Sequence, residues 1–194
     1  MYKDLIIASN NKNKVKEIKE LFSDIFENIY SLKDKGIDIE IAETGSTFEE
    51  NAIIKAKEVC KITNMVALAD DSGLEVLALG GAPGVYSARY AGEPTDDNTN
   101  NKKLLHNMID IIERSARFTS CVAIAYPSGE IYTAHGHVEG KILYEEVGEN
   151  GFGYDPLFLS TELGKTFGQA TSEEKNSISH RARALENLKK ILKK

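Results

Sequence analysis

Three things are scarce in this chain of 194 residues, and each scarcity removes a class of function. Cysteine is the first. Cys60 and Cys121 are too few for a thiolate zinc site or a disulfide framework, and they suit a reducing compartment. Long apolar runs are the second. No stretch of about 18 apolar residues exists, which excludes a membrane span. The start, Met1-Tyr2-Lys3-Asp4, lacks the charged-then-apolar layout of a signal peptide, so a cytoplasmic location is expected. Basic charge is the third: 24 Lys and Arg stand against 30 Asp and Glu, a formal charge of −6. That balance leaves no broad basic face to follow a nucleic-acid backbone. Repeats, low-complexity tracts and linkers are also missing, so one domain over residues 1–194 is expected.

What is present is an alternation of strand and helix patterns. Asp4 to Ala8 is a short apolar run that reads as a buried strand, and Ser9 to Asn13 form a polar loop. Val15, Ile18, Leu21, Phe22 and Ile25 then follow at helical spacing. Ile37, Ile39 and Ile41 alternate with acids and predict a half-buried strand. Thr47-Phe48-Glu49-Glu50 has the capping-box pattern, opening a helix from about Phe48 to Thr63. Val66 to Ala69 reads as a strand ending on Asp70-Asp71-Ser72-Gly73. The Gly- and Pro-rich stretch 80–84 leads into Val85–Tyr90, and Asn98 to Glu113 predict a helix. Phe118–Tyr126 and Glu130–Lys141 flank Pro127-Ser128-Gly129 as a long antiparallel hairpin. Ala182, Leu185, Leu188, Ile191 and Leu192 form one stripe of a last helix. The sum is an α/β protein with a mixed sheet.

Five segments can carry chemistry, and each also has a plain structural reading. Ser9-Asn10-Asn11-Lys12-Asn13-Lys14 lies between a strand and a helix, where free amides and the helix dipole suit a phosphate. It is no Walker loop, having no Gly, and it reads equally as an Asn-rich helix cap. Asn51 and Lys55 are four apart and share a helix face near Glu43. They present a carboxylate, an amide and an ammonium to a polyanion and its metal, or they are a capped surface helix. Asp70-Asp71 can hold a hard cation such as Mg2+ or take a proton from water, and can equally cap nearby amides. Gly151-Phe152-Gly153-Tyr154-Asp155-Pro156 interleaves aromatics with Gly, suiting a flat ligand, or is an aromatic turn packed on the hairpin. Lys175 to Arg181, read as the start of the last helix with Ser177 or Ser179 as cap, sets donors at His180 and Arg181. Its bland reading is a capped helix with a basic first turn. His135 and His137 share a strand face and read as a hairpin face rather than a metal pair. Arg89 either approaches the site or packs a strand.

The segments are weak singly, but their joint order is not. Ser9-x-Asn11-x-x-Lys14, Thr47-Phe48-x-Glu50-Asn51-Ala52, Ala69-Asp70-Asp71-Ser72-Gly73-Leu74, Pro83-Gly84-Val85-Tyr86-Ser87-Ala88-Arg89-Tyr90, Phe152-Gly153-Tyr154-Asp155-Pro156 and Ser179-His180-Arg181 occur in sequence. From about Leu5 to Leu192 the chain resembles the inosine triphosphate pyrophosphatase family, enzymes that remove non-standard purine nucleotides. The resemblance implies an elongated mixed α/β body with two lobes around a central cleft, usually a homodimer. It implies hydrolysis of a purine nucleoside triphosphate (ITP, dITP, XTP) to the monophosphate and pyrophosphate, with Mg2+. Ser9, Asn11 and Lys14, in the loop with Asn10, Lys12 and Asn13, would hold the triphosphate beside Lys55. Glu43 and Asp71 would bind Mg2+. Asp71 would be the general base, Asp70 its supporting carboxylate, and Ser72 would touch substrate. Phe152, Gly153, Tyr154 and Asp155 would line the base pocket with Lys175, His180 and Arg181. Two positions depart from the pattern: Lys12 adds a second basic residue to the loop, and Tyr154 stands where some relatives carry Trp.

Other classes compete with this reading. A non-catalytic purine nucleotide sensor would keep the pocket without turnover, but a pure binder gains little from a buried acidic pair. A Mg2+-dependent phosphatase for another metabolite has no use for an aromatic, Gly-rich base pocket.

Overall fold

Alternation along three strands decides what each face of the sheet buries. The computed structural model describes residues 3–193. Strand β1 (Asp4–Ile7) pairs in parallel with β2 (Asn28–Ser31) on one side and with β3 (Val66–Val76) on the other. β4 (Ser115–Ala125), β5 (Ile131–Ile142) and β6 (Phe158–Ser160) complete a six-stranded sheet of order β2-β1-β3-β4-β5-β6. β5 and β6 are antiparallel, so the sheet is mixed, as the sequence predicts. Successive side chains leave a strand on opposite faces. Leu5, Ile7, Val66, Leu68, Val122 and Ile124 therefore enter one core, and Ile6, Ala8, Ala67, Ala69, Cys121 and Ala123 enter another.

Helices cover both faces. The first core is closed by α1 (Lys12–Phe22) through Ile18 and Phe22, and by α5 (His180–Leu192) through Ala184, Leu185 and Leu188. Ile18 and Phe22 are wholly buried, worth about 1.5–3 kcal/mol each in apolar transfer. The second core is closed by α2 (Phe48–Thr63) through Ala52, Ala56, Val59 and Cys60. Burial on both faces explains why β1 and the start of β3 are continuous apolar runs. Thr47 caps α2 by accepting from the Glu50 amide (3.1 Å), but the Glu50 carboxylate turns to Ser46 (2.6 Å) instead of closing the predicted box. A full capping box forms at α4 (Ser172–Ile178), between Thr171 and Glu174.

The chain divides into two compact units. The first holds the residues up to Asp71, Ser120–Gly136 and those from Arg181 on; the second holds Ser72–Thr119 and His137–His180. A third core, with Leu74, Phe118, Val138, Tyr154, Phe158 and Phe167, belongs to the second unit, as does α3 (Asp97–Asn107). Among the described residues no helix is long and apolar enough to cross a membrane.

Several expected elements are redrawn. Residues 37–45 form no strand: Ile37, Ile39 and Ile41 pack against the α2 core, and β1 is flanked by β2 and β3. β3 does not end at Ala69 but continues through Asp70-Asp71-Ser72-Gly73 to Val76. Val85–Tyr90 falls on a 3₁₀ helix, Gly84–Arg89. α3 stops at Asn107, short of the predicted Glu113. Lys175 lies in α4, separated from α5 by the extended Ser179, so His180 and Arg181 alone begin the last helix.

Candidate active site

The acidic pair sits inside a strand, and the pleat sends its two carboxylates to opposite faces. Asp70 continues the Val66–Leu68 row toward α1 and α5, whereas Asp71 continues the Ala67–Ala69 row toward α2. Each meets different partners there. Asp70 is wholly buried and receives Lys14 Nζ of α1 (2.9 Å), Arg181 Nη2 of α5 (3.2 Å) and Ser120 Oγ of β4 (2.5 Å). Arg181 Nη1 also pairs with Glu17 of α1. Burial alone would raise the Asp70 carboxyl, but Arg181 and Lys14 outweigh it and hold it well below the usual carboxylate range. The same carboxylates raise Arg181 against its own burial.

Asp71 meets the α2 side. Lys55 Nζ reaches Asp71 Oδ1 (2.8 Å), Glu43 Oε1 (2.6 Å) and the Asp70 carbonyl (3.0 Å). Asn51 Nδ2 donates to Asp71 Oδ2 (3.3 Å), while its Oδ1 accepts from the Gly45 amide (2.8 Å). Gly45 brings the Glu43 segment onto α2: a Cβ there would lie 2.6 Å from Glu50 Cβ and 2.7 Å from Asn51 Oδ1. Burial raises the Asp71 pKa, and here Lys55 and Lys14 do not cancel it. Burial works against the Lys55 ammonium, yet Asp71 and Glu43 raise it overall. Two neighbouring carboxylates are thus driven in opposite directions by their surroundings.

Structure joins segments that the sequence kept apart. Glu43, Asn51 and Lys55 meet Asp71 as one cluster, and Lys14 of the polar loop meets Asp70. In the loop itself Asn11 is the cap of α1, accepting from the amides of Asn13 (3.0 Å) and Lys14 (3.1 Å). Ser9 Oγ accepts from the Asn11 amide (3.2 Å), and Asn10 Nδ2 donates to the Ile39 carbonyl (3.0 Å). Ser9, Asn10 and Lys12 border a cavity of about 470 Å³, with Ser31, Lys33 and Asp38 on its other walls. Asn13 is exposed at the start of α1.

In the second unit the Phe152–Asp155 loop is held from within. Asp155 Oδ2 accepts from the Phe152 amide (2.9 Å) and from buried Lys175 Nζ (2.7 Å), and Lys175 Nζ lies 4.6 Å from the centre of the Phe152 ring. The Tyr154 ring is buried in the third core and its hydroxyl donates to the Ser87 carbonyl (2.8 Å). His180 stacks on Phe118, with ring centres 4.9 Å apart. Ser72 is half-buried on β3. Arg181, expected beside the base, sends its guanidinium to Asp70 and Glu17 in the first unit.

Glu17 and Ser120 were not among the sequence candidates. Glu17 follows Lys14 by three residues on α1, a spacing that sets both on one face. Ser120 is the polar residue opening the apolar run Cys121–Ala125, a visible signal in a buried strand. A cysteine-based alternative fails on electrostatics. Cys121 Sγ lies 3.8 Å from His135 Nε2, but burial pushes its thiol up to about 12, so no thiolate forms near neutral pH. Among the described residues no group of three or more His, Cys, Asp or Glu is placed to hold a metal ion by itself.

Comparison with known proteins gives a consistent picture. The Ham1 family model matches residues 5–191. A Bacillus subtilis relative named dITP/XTP pyrophosphatase is 51% identical over 192 residues, covering 98% of this chain and 97% of its own. The solved Ham1 protein of Staphylococcus aureus superposes with a TM-score of 0.88 at 43% identity, covering 98% of both chains. A HAM1 protein from Coxiella burnetii gives 0.88 at 41% identity, covering 100% of this chain and 99% of that one.

Removing one member of a buried ion network strands its partners. Asp70→Asn leaves Arg181 and Lys14 without their shared carboxylate, and we expect a loss of about 3–5 kcal/mol in urea unfolding. A loss below about 1 kcal/mol would show that the network does not hold α1, α5 and β3 together.

Proposed function

The chain belongs to the Ham1 family, and from that premise we propose that it hydrolyses non-standard purine nucleoside triphosphates (ITP, dITP, XTP) to the monophosphate and pyrophosphate with Mg2+. The observation that carries the reading is the Lys55 ammonium, within 3.0 Å of Glu43 Oε1, Asp71 Oδ1 and the Asp70 carbonyl. A buried acid cluster built around one ammonium suits a polyphosphate and its cation, and relatives about half identical carry the name dITP/XTP pyrophosphatase. The chain would act on the free nucleotide pool in the cytoplasm, as a homodimer.

The donor set fits Mg2+. Glu43 and Asp71 each place a hard carboxylate oxygen within 2.8 Å of Lys55 Nζ, and the two would hold an ion that needs only one or two protein carboxylates beside phosphate oxygens and water. When bound, it neutralises charge developing on the leaving pyrophosphate.

The protein's own groups divide the remaining work. Asp71, whose carboxyl burial makes more basic, takes a proton from the water that attacks the α-phosphorus. Asp70 is locked ionised and fixes Lys14, which with Ser9, Asn11 and Lys55 holds the triphosphate. Asn51 orients Asp71 through its amide. Phe152 stacks on the base, a contact worth about 1–3 kcal/mol. The 6-oxo group of inosine and xanthosine accepts a hydrogen bond where adenine donates one. A fixed donor facing it rejects adenine by a factor on the order of 10⁴, and His180 is the side chain we assign to that role.

Phosphorus NMR of the products from inosine, xanthosine, guanosine and adenosine triphosphates tests the reaction. Monophosphate and pyrophosphate from the inosine and xanthosine substrates are expected; orthophosphate and diphosphate would make the protein a γ-phosphatase, and binding without turnover would make it a sensor. Asp71→Asn should lower kcat by roughly 10²–10⁴ while nucleotide binding stays within a few fold. Near-normal hydrolysis by that variant would remove Asp71 as the base. In Glu43→Ala, half-maximal activity should shift to higher Mg2+, and an unchanged titration would take Glu43 out of the metal site.

A further inference from the structure

The backbone beneath Phe152 is gripped by α3, a helix that no motif implicates. Asp97 and Asn101 stand four residues apart and so share one face of it. Asp97 Oδ2 accepts from the Gly153 amide at 2.7 Å. Asn101 Nδ2 donates to the Gly153 carbonyl at 3.2 Å and to Glu146 Oε1 at 2.8 Å. Both polar groups of one residue are thereby tied to one helix. Gly153 has φ +62°, and because glycine populates both signs of φ about equally, the contacts to α3 select which one this loop takes. The start of α3 is itself fixed, because Asp96 Oδ2 accepts from the Thr99 amide at 2.8 Å and sets where Asp97 stands.

Asn101 is an uneconomical choice for packing alone. It is 3% exposed, and its Oδ1 has no hydrogen-bond partner among the described residues. A buried acceptor left unmade destabilises the fold, and an apolar side chain of similar shape would avoid that cost. The amide at this position is therefore explained by what Nδ2 does for Gly153 and Glu146, not by its contribution to the core.

We propose that Asp97 and Asn101 are positioning residues for base recognition: they hold Gly153 in its left-handed conformation and so set the Phe152 ring for stacking. This rests on the reading of Phe152 as the base-stacking ring. Neither residue is among those assigned to the triphosphate, so their loss acts on base affinity and leaves phosphate binding alone.

The test is steady-state hydrolysis of inosine triphosphate by the full chain, with inorganic tripolyphosphate as an inhibitor that has no base. Phe152→Ala serves as the reference variant. Asp97→Ala is expected to raise KM about tenfold, the equivalent of one charge-assisted hydrogen bond, with kcat within about twofold. Asp97→Asn keeps an acceptor and should stay near the parent. Asn101→Leu should raise KM while its Tm holds or rises, which a merely structural role would not produce. Inhibition by tripolyphosphate should be the same in all of them. If Phe152→Ala raises KM but Asp97→Ala and Asn101→Leu stay within twofold of the parent, the clamp is overturned and the stacking reading stands. If Phe152→Ala itself leaves KM unchanged, the stacking reading falls and takes the clamp with it. A KM rise accompanied by lower Tm and weaker tripolyphosphate inhibition would mark a general folding defect and overturn the positioning role.

Discussion

The pleat of β3 at Asp70-Asp71 is the constraint on which the rest of the first unit depends. Adjacent strand residues face opposite sides, so two carboxylates joined by one peptide bond cannot share an environment. Asp70 turns to the side closed by α1 and α5 and is neutralised by Lys14 and Arg181. Asp71 turns to the side closed by α2 and shares Lys55 with Glu43. One is held ionised by its cations, and the carboxyl of the other is raised by burial. No other placement of two neighbouring acids gives this division so directly, because side-by-side carboxylates on one face would repel and share a proton.

The cost of this arrangement is high and falls on the fold. Fully buried charges are tolerated only when each has a partner with good geometry. Asp70 meets that condition with partners from three separate elements, α1, α5 and β4, so one buried charge ties all three to β3. Glu17 extends the network by holding the far side of Arg181. Lys55, Asn51 and Gly45 do the corresponding work on the other face, bringing the Glu43 segment against α2. A polyphosphate and its cation would thus meet groups whose positions are already set, so little ordering is left for binding to supply. In the second unit the Phe152–Asp155 loop is fixed by a different set of bonds, through Asp155, Tyr154 and α3.

Much of this is legible in the residues, and the failures have physical causes. The apolar runs at Leu5–Ile7 and Val66–Ala69, the Thr47 cap and the spacing of Asn51 and Lys55 all correspond to observed elements. That Asn51 and Lys55 share a face follows from their spacing, whereas their meeting with Asp71 needs the fold. The end of β3 was misjudged because two acids look like a turn; only the helices on either side make them tolerable within a buried strand. Ile37, Ile39 and Ile41 mimic a strand because a segment lying on α2 also buries alternate residues, and hydrogen bonding to a neighbour is invisible in periodicity. Arg181 and Tyr154 make contacts that no local pattern announces, one with the buried acids Asp70 and Glu17 and the other with a core and the Ser87 carbonyl. Glu17, Asp97 and Asn101 act through contacts 164, 56 and 52 residues away along the chain, a range no local pattern reaches.

The point of attack is the claim most directly open to measurement. Hydrolysis of inosine triphosphate in water enriched in heavy oxygen, followed by mass spectrometry of both products, locates the new phosphorus–oxygen bond. Water activated by Asp71 and directed at the α-phosphorus puts the label in the monophosphate and none in the pyrophosphate. Label in the pyrophosphate would mean attack at the β-phosphorus and would contradict the role given to this acid cluster.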